Sequence, residues 1–204
     1  MTSGQVRTRW RRTDPRRQPH RPARRRAPTR FAAVVVALAA VVIVAGCGKA
    51  GHSAAVPPRT MSISSEALSQ YILPQRYTCH GNKINPPLEW SGAPAGTKSF
   101  ALVVDDSSAP ITPFIYWLVF DIGPGTADIQ EGALPTGARQ AMNSAATASY
   151  DAPCPSGQPH MYRFTIYALN SWLNLPNGAS LPAVLTAIAA DTIGRGRIVV
   201  TGNP

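Results

Sequence analysis

Between residues 60 and 204 the apolar positions gather into short runs rich in β-branched and aromatic side chains, bounded by Pro, Gly and Asn. Residues 100–104, 114–120, 162–168 and 197–201 are the clearest. Each has the length and composition of a β-strand. One segment has a helical period instead. Leu181, Val184, Leu185 and Ile188 fall on one face, with Ser180 placed to cap the first turn, Pro182 inside it and Gly194 expected to end the helix. The chain contains 20 prolines, and Pro86, Pro87, Pro94, Pro110, Pro113, Pro153 and Pro155 lie between the strand-like runs. Proline fixes φ and removes a donor, so these stretches predict long, rigid loops in place of helical connections. The expected architecture is mainly antiparallel β.

A different pattern precedes this part. Residues 31–44 form an unbroken apolar run, too short for a membrane-spanning helix, which needs about 20 residues. The formal charge of +10 sits ahead of that run: residues 1–30 hold eleven arginines and one acid, Asp14, leaving nine basic and nine acidic residues in balance. A basic arm for nucleic acid does not usually lead into an apolar core, so the order reads as an export signal and no nucleic-acid partner is expected. The run ends in Val44, Ala45, Gly46 and Cys47, which resembles the bacterial lipobox, where the cysteine is acylated and becomes the mature N-terminus. The expected organisation is therefore a basic region and signal peptide over 1–46, a lipidated tether over 47–60 and one domain over 61–204. The domain is expected at the extracytoplasmic face of the cell membrane. With Cys47 assigned to lipid, Cys79 and Cys154 remain, either as a disulfide in an oxidising compartment or as two buried thiols.

Three loop segments concentrate unusual residues: 77–90, with Tyr77, Cys79, His80, Asn82, Pro86, Pro87 and Trp90; 105–110, with Asp105, Asp106, Ser108 and Pro110; and 150–163, with Tyr150, Pro153, Cys154, His160 and Tyr162. In this order they resemble the bacterial Raf-kinase-inhibitor-like branch of the phosphatidylethanolamine-binding protein family, with its patterns YTCDGxNxxPPLxW, DPDAP and YxGPCPPxGxHRY. The resemblance runs from about Met61 to the C-terminus. It implies a large antiparallel sheet packed with a smaller one, few peripheral helices, and a small anion-binding pocket at one end of the large sheet. Carried over position by position, the pocket residues are Asp106, Ser108, Tyr116, Pro153, His160 and Tyr162. Three positions depart from the pattern: Ser108 replaces the second Asp of DPDAP, Tyr116 replaces a His before Trp117, and His80 replaces an Asp.

His160 and Tyr162, at i and i+2 on a strand, point to the same face, so an imidazole and a phenol can converge on one phosphate or carboxylate. Asp106 can orient the imidazole. Ser108 removes a carboxylate that would repel an anion, whereas Tyr116 removes a possible positive charge. Taken alone, a His-x-Tyr pair is more often structural than functional, Asp105 and Asp106 can be turn formers, and Trp90 and Trp117 are expected in the core. His80 reads as a surface loop residue.

No GxSxG elbow, HExxH pair or P-loop is present. Cys79, His80, Cys154 and His160 lack the paired spacing of a zinc site, so no metal or cofactor is expected. The reading is a membrane-anchored, non-catalytic binding module for a small anionic or phosphorylated ligand such as a phospholipid headgroup. The alternatives are a protein-interaction or inhibitor module with a partner in the cell envelope, and a fold whose pocket Tyr116 has closed.

Overall fold

The computed structural model describes residues 57–109 and 111–204. The signal peptide, Cys47 and most of the tether lie outside the described residues. Each of the four apolar runs lies within a longer strand: β4 (Ser99–Asp106), β5 (Phe114–Ile122), β8 (His160–Leu169) and β9 (Thr192–Gly202). Five short strands complete the set: β1 (Arg59–Thr60), β2 (Ser62–Ser64), β3 (Leu88–Ser91), β6 (Asp128–Ile129) and β7 (Arg139–Gln140). The single α-helix among the described residues, α1 (Leu181–Asp191), lies between β8 and β9.

The large sheet has six strands in the order β1-β9-β8-β4-β5-β7. All its neighbours run antiparallel except β1, which runs parallel to β9. The small sheet is β2-β3-β6 and is antiparallel throughout. Side chains alternate across the large sheet, giving it two apolar faces. Phe100, Leu102 and Val104 of β4, with Phe164 and Ile166 of β8, pack against Leu88, Trp90 and Ile129 of the small sheet. Ala101 and Val103, one position out of step, join Leu118 and Phe120 of β5 and Val184 and Ile188 of α1 on the opposite face. β4 is therefore buried along its whole length, which is why it reads as a near-continuous apolar run.

The helix begins where expected: Pro182 lies in the first turn and Val184 N–H donates to the Ser180 carbonyl at 3.2 Å, although the Ser180 side chain makes no cap hydrogen bond. Its end differs from the expectation. α1 stops at Asp191 and β9 starts at Thr192 with no intervening loop, so Gly194 is a strand residue. It pairs with Ala168 on one side and Arg59 on the other. A Cβ there would come within 2.8 Å of the Pro94 ring, so the missing side chain serves close packing and not helix termination.

Candidate functional site

The last residue of β4 and the first of β8 meet at one end of the large sheet. The antiparallel register places Asp106 opposite Tyr162 and Asp105 opposite Arg163. Asp106, His160 and Tyr162 are in step with Val104 and Phe164, hence on the face that packs toward the small sheet. The Nδ1 of His160 lies 2.6 Å from the Asp106 Oδ2. An ionised carboxylate only accepts, so Nδ1 carries a proton and the ring's other nitrogen, Nε2, is left as its working end. The second Asp106 oxygen accepts the Ser108 N–H at 2.7 Å, an Asx turn that takes the chain off β4. Both oxygens of a buried carboxylate are thus occupied in fixing one imidazole and one turn.

Ser108 is placed in the same turn, and its hydroxyl has a backbone role: it accepts the Met161 N–H at 2.8 Å. The neighbouring Ser107 N–H donates to the Met161 carbonyl at 2.9 Å. These two bonds lock the turn after Asp106 to the residue between His160 and Tyr162. The sequence contained no signal for this use of Ser108.

Tyr116 arrives by an irregularity in the ladder. Val104 pairs with Trp117 but Asp105 pairs with Ile115, so Tyr116 is an extra residue in β5, a β-bulge. Strict alternation would send Tyr116 and Trp117 to opposite faces; the bulge turns both toward the same core. The carbonyl of Tyr116, released from the ladder, accepts the Asp151 N–H at 3.0 Å and the Asn143 side-chain amide at 3.2 Å. The phenol packs edge-on against Tyr162 with centroids 5.6 Å apart, and the His160 and Tyr162 rings are nearly parallel at 6.1 Å.

The Tyr162 hydroxyl is buried beside the Tyr116 phenol, its hydrogen-bonding neighbour, and no described group meets it in full hydrogen-bond geometry. Ser65 Oγ and Trp90 Nε1 are buried in the same way among the described residues. Burial first, then the Tyr116 phenol and the Asp106 carboxylate, push the Tyr162 pKa above the ordinary tyrosine value. Tyr116 shifts in the same direction, from burial first and then from Asp106 and Asp151. The full charges acting on these phenols are therefore carboxylates. Gly202, opposite His160 on β9, is required here: a Cβ would lie 2.5 Å from Cε2 of Tyr162. Sequence reading missed it.

The loop bearing Pro153 closes the site from the side. Cys79 and Cys154 are joined by a disulfide, with Cα atoms 5.1 Å apart, and the Cys79 N–H donates to the Pro153 carbonyl at 2.9 Å. Pro153 is buried, and Pro155 reaches within 3.5 Å of where a side chain on Gly202 would start. His80 is exposed with its Nε2 3.9 Å from the Cys154 sulfur. Both sulfurs of that cluster are committed to each other. Trp117 is buried and its Nε1 donates to Gln140 at 2.6 Å; Trp90 is buried in the same core, so both indoles have the core placement expected of them. The structure thus gathers Asp106, His160, Tyr162 and Tyr116 into one cluster, with Ser108 in the turn behind it and Pro153 in the disulfide-tied loop.

Comparison with known proteins agrees with the fold. The family model for phosphatidylethanolamine-binding protein matches residues 63–203. A UPF0098 protein of Methanothermobacter thermautotrophicus is 39% identical over 132 residues, covering 62% of this chain and 87% of its own. A Mycobacterium tuberculosis protein named "Putative lipoprotein LppC" is 35% identical over 185 residues, covering 80% of this chain and 92% of its own. Among solved structures, a phosphatidylethanolamine-binding protein homologue of Chlamydia trachomatis superposes with a TM-score of 0.64 at 32% identity, covering 70% of this chain and 97% of that one. Escherichia coli YbcL, described as a member of the mammalian family, gives 0.64 at 28% identity, covering 71% and 98%. The chain belongs to the phosphatidylethanolamine-binding protein family.

Proposed function

We propose that the domain is a non-catalytic module that captures a small anionic or phosphorylated group, such as a phospholipid headgroup, between His160 and Tyr162, and that a lipid on Cys47 holds it at the outer face of the cell membrane. The observation that supports this most directly is the Tyr162 phenol stacked beside an imidazole that Asp106 holds in place. A ligand oxygen would accept from the phenol and, where Nε2 carries a proton, from the imidazole. The lipoprotein name of the mycobacterial relative supports the anchor. Among the described residues no helix is long and apolar enough to cross a membrane.

The test is a titration of the protein with inorganic phosphate and with phosphoethanolamine, followed by the His160 ring resonances. Saturable shifts that disappear in His160→Ala support the proposal; resonances unchanged by either ligand reject it. Fatty-acid labelling lost in Cys47→Ala tests the anchor, and equal labelling of both proteins rejects it.

A closed pocket is the second reading, favoured by the inaccessible Tyr162 hydroxyl and the Tyr116 ring packed against it. Tyr116→Ala separates the two. If the wild type fails to bind phosphate and the variant succeeds, Tyr116 has closed an otherwise competent site.

A further inference from the structure

The face of the large sheet opposite the His160 cluster holds a cleft of about 300 Å³. Its floor is formed by β4, β8 and β9, one wall by Leu181 and Leu185 of α1, and the other by Pro113 and Ile115. The walls are apolar and the floor is charged. Asp105 is buried and receives two hydrogen bonds from Arg163, one from Nε at 2.9 Å and one from Nη2. Arg197, the third charged residue lining the cleft, donates from Nε to the Thr165 hydroxyl at 2.8 Å. It forms no ion pair among the described residues.

Two guanidiniums and one carboxylate leave the floor with an uncompensated positive charge. The charge of Asp105 is paired with Arg163, both of whose bonds end on Oδ2, while an anion finds the forked donors of Arg197 already oriented by Thr165. The volume is at the lower end of the range for small-molecule sites, and apolar walls around a few converging polar groups are their usual composition.

We infer that this cleft is a second binding site, for a small carboxylate with a compact apolar body, whose carboxylate pairs with Arg197 while its body lies between Leu185 and Ile115. The site is separate from the His160 cluster, because Asp105 and Asp106 point to opposite faces of β4. It does not depend on the function proposed above.

The test uses the full chain with labelled methyl groups and three probes of nearly equal size: benzoate, benzamide and benzamidinium. Benzoate is expected to saturate and to shift the methyls of Leu181, Leu185 and Val103. Benzamide is expected to bind about tenfold or more weakly for want of the charge-assisted bond, and benzamidinium not at all. Arg197→Gln, at an exposed residue, should weaken benzoate about tenfold, and Leu185→Trp should abolish binding by filling the cleft. If the tryptophan variant fails to fold, the Arg197 variant decides alone. Benzamidinium binding as well as benzoate, shifts confined to His160 and its neighbours, an unchanged affinity in Arg197→Gln, or no saturable binding would each overturn the inference.

Discussion

Asp105 and Asp106 are consecutive in β4, yet their carboxylates act on opposite faces of the six-stranded sheet: Asp105 holds Arg163 and Asp106 holds His160. One dipeptide thereby fixes a nitrogen-bearing side chain on each side of the same strand. Substituting one carboxylate should leave the other pair in place.

Asp106→Asn keeps the shape but removes the charge that orients His160. The ring is about one-third exposed, so solvent screens part of the interaction and the loss of stability should be only about 1 kcal/mol. Phosphate affinity should fall further, by about tenfold, because the Nδ1 proton is no longer dictated and Nε2 no longer poised. Urea unfolding and phosphate titration on the same samples separate the two effects.

Tyr77, Tyr116, Tyr150 and Tyr162 all titrate above the ordinary tyrosine value, each from burial first. In the unfolded chain these phenols lose protons near pH 10, while the folded protein retains them. The unfolded state then binds fewer protons, so stability falls as pH rises above about 10, and these groups contribute no pH dependence below that point. Urea midpoints at pH 9, 10 and 11 should decline across the series. Tyr162→Phe should flatten the decline, and an unchanged slope would remove that phenol from the explanation.

The disulfide closes a long loop, its cysteines lying 75 residues apart. On the chain-entropy account its removal costs about 4 kcal/mol. The Cys79→Ser, Cys154→Ser double variant should show that loss in urea unfolding, and the wild type in reductant should approach it.

Gly202→Ala places a methyl 2.5 Å from the Tyr162 ring. The ring must move, at a cost of about 1 to 3 kcal/mol for an overpacked site. Phosphate binding should weaken with it. A Gly202→Ala protein that binds phosphate normally would show that the position of Tyr162 is not critical.

The long strands were legible because β-branched runs record burial directly, and the His160–Tyr162 pair because a period of two is a property of the strand itself. The strands of two to four residues were not, since their pairing comes from what lies above them in the fold. β1 exists because Met61 and its neighbours run beside β9, and nothing in Arg59 or Thr60 announces that. Gly194 was misplaced for a related reason: a glycine after a helix looks like a terminator, and only the approach of Pro94 from a distant loop reveals its purpose. Ser108 and Gly202 were opaque because their roles depend on partners at Met161 and Tyr162, more than thirty positions away in the chain.

The extra residue at Tyr116 separates two demands that usually conflict. Its backbone stands outside the β4–β5 ladder, so natural variation can exchange the side chain at this point without shifting the register that aligns the core residues on either side. Position 116 is therefore a place where the family's descendants can retune, plug or reopen one end of the sheet in a single substitution, leaving the architecture that supports it inherited intact.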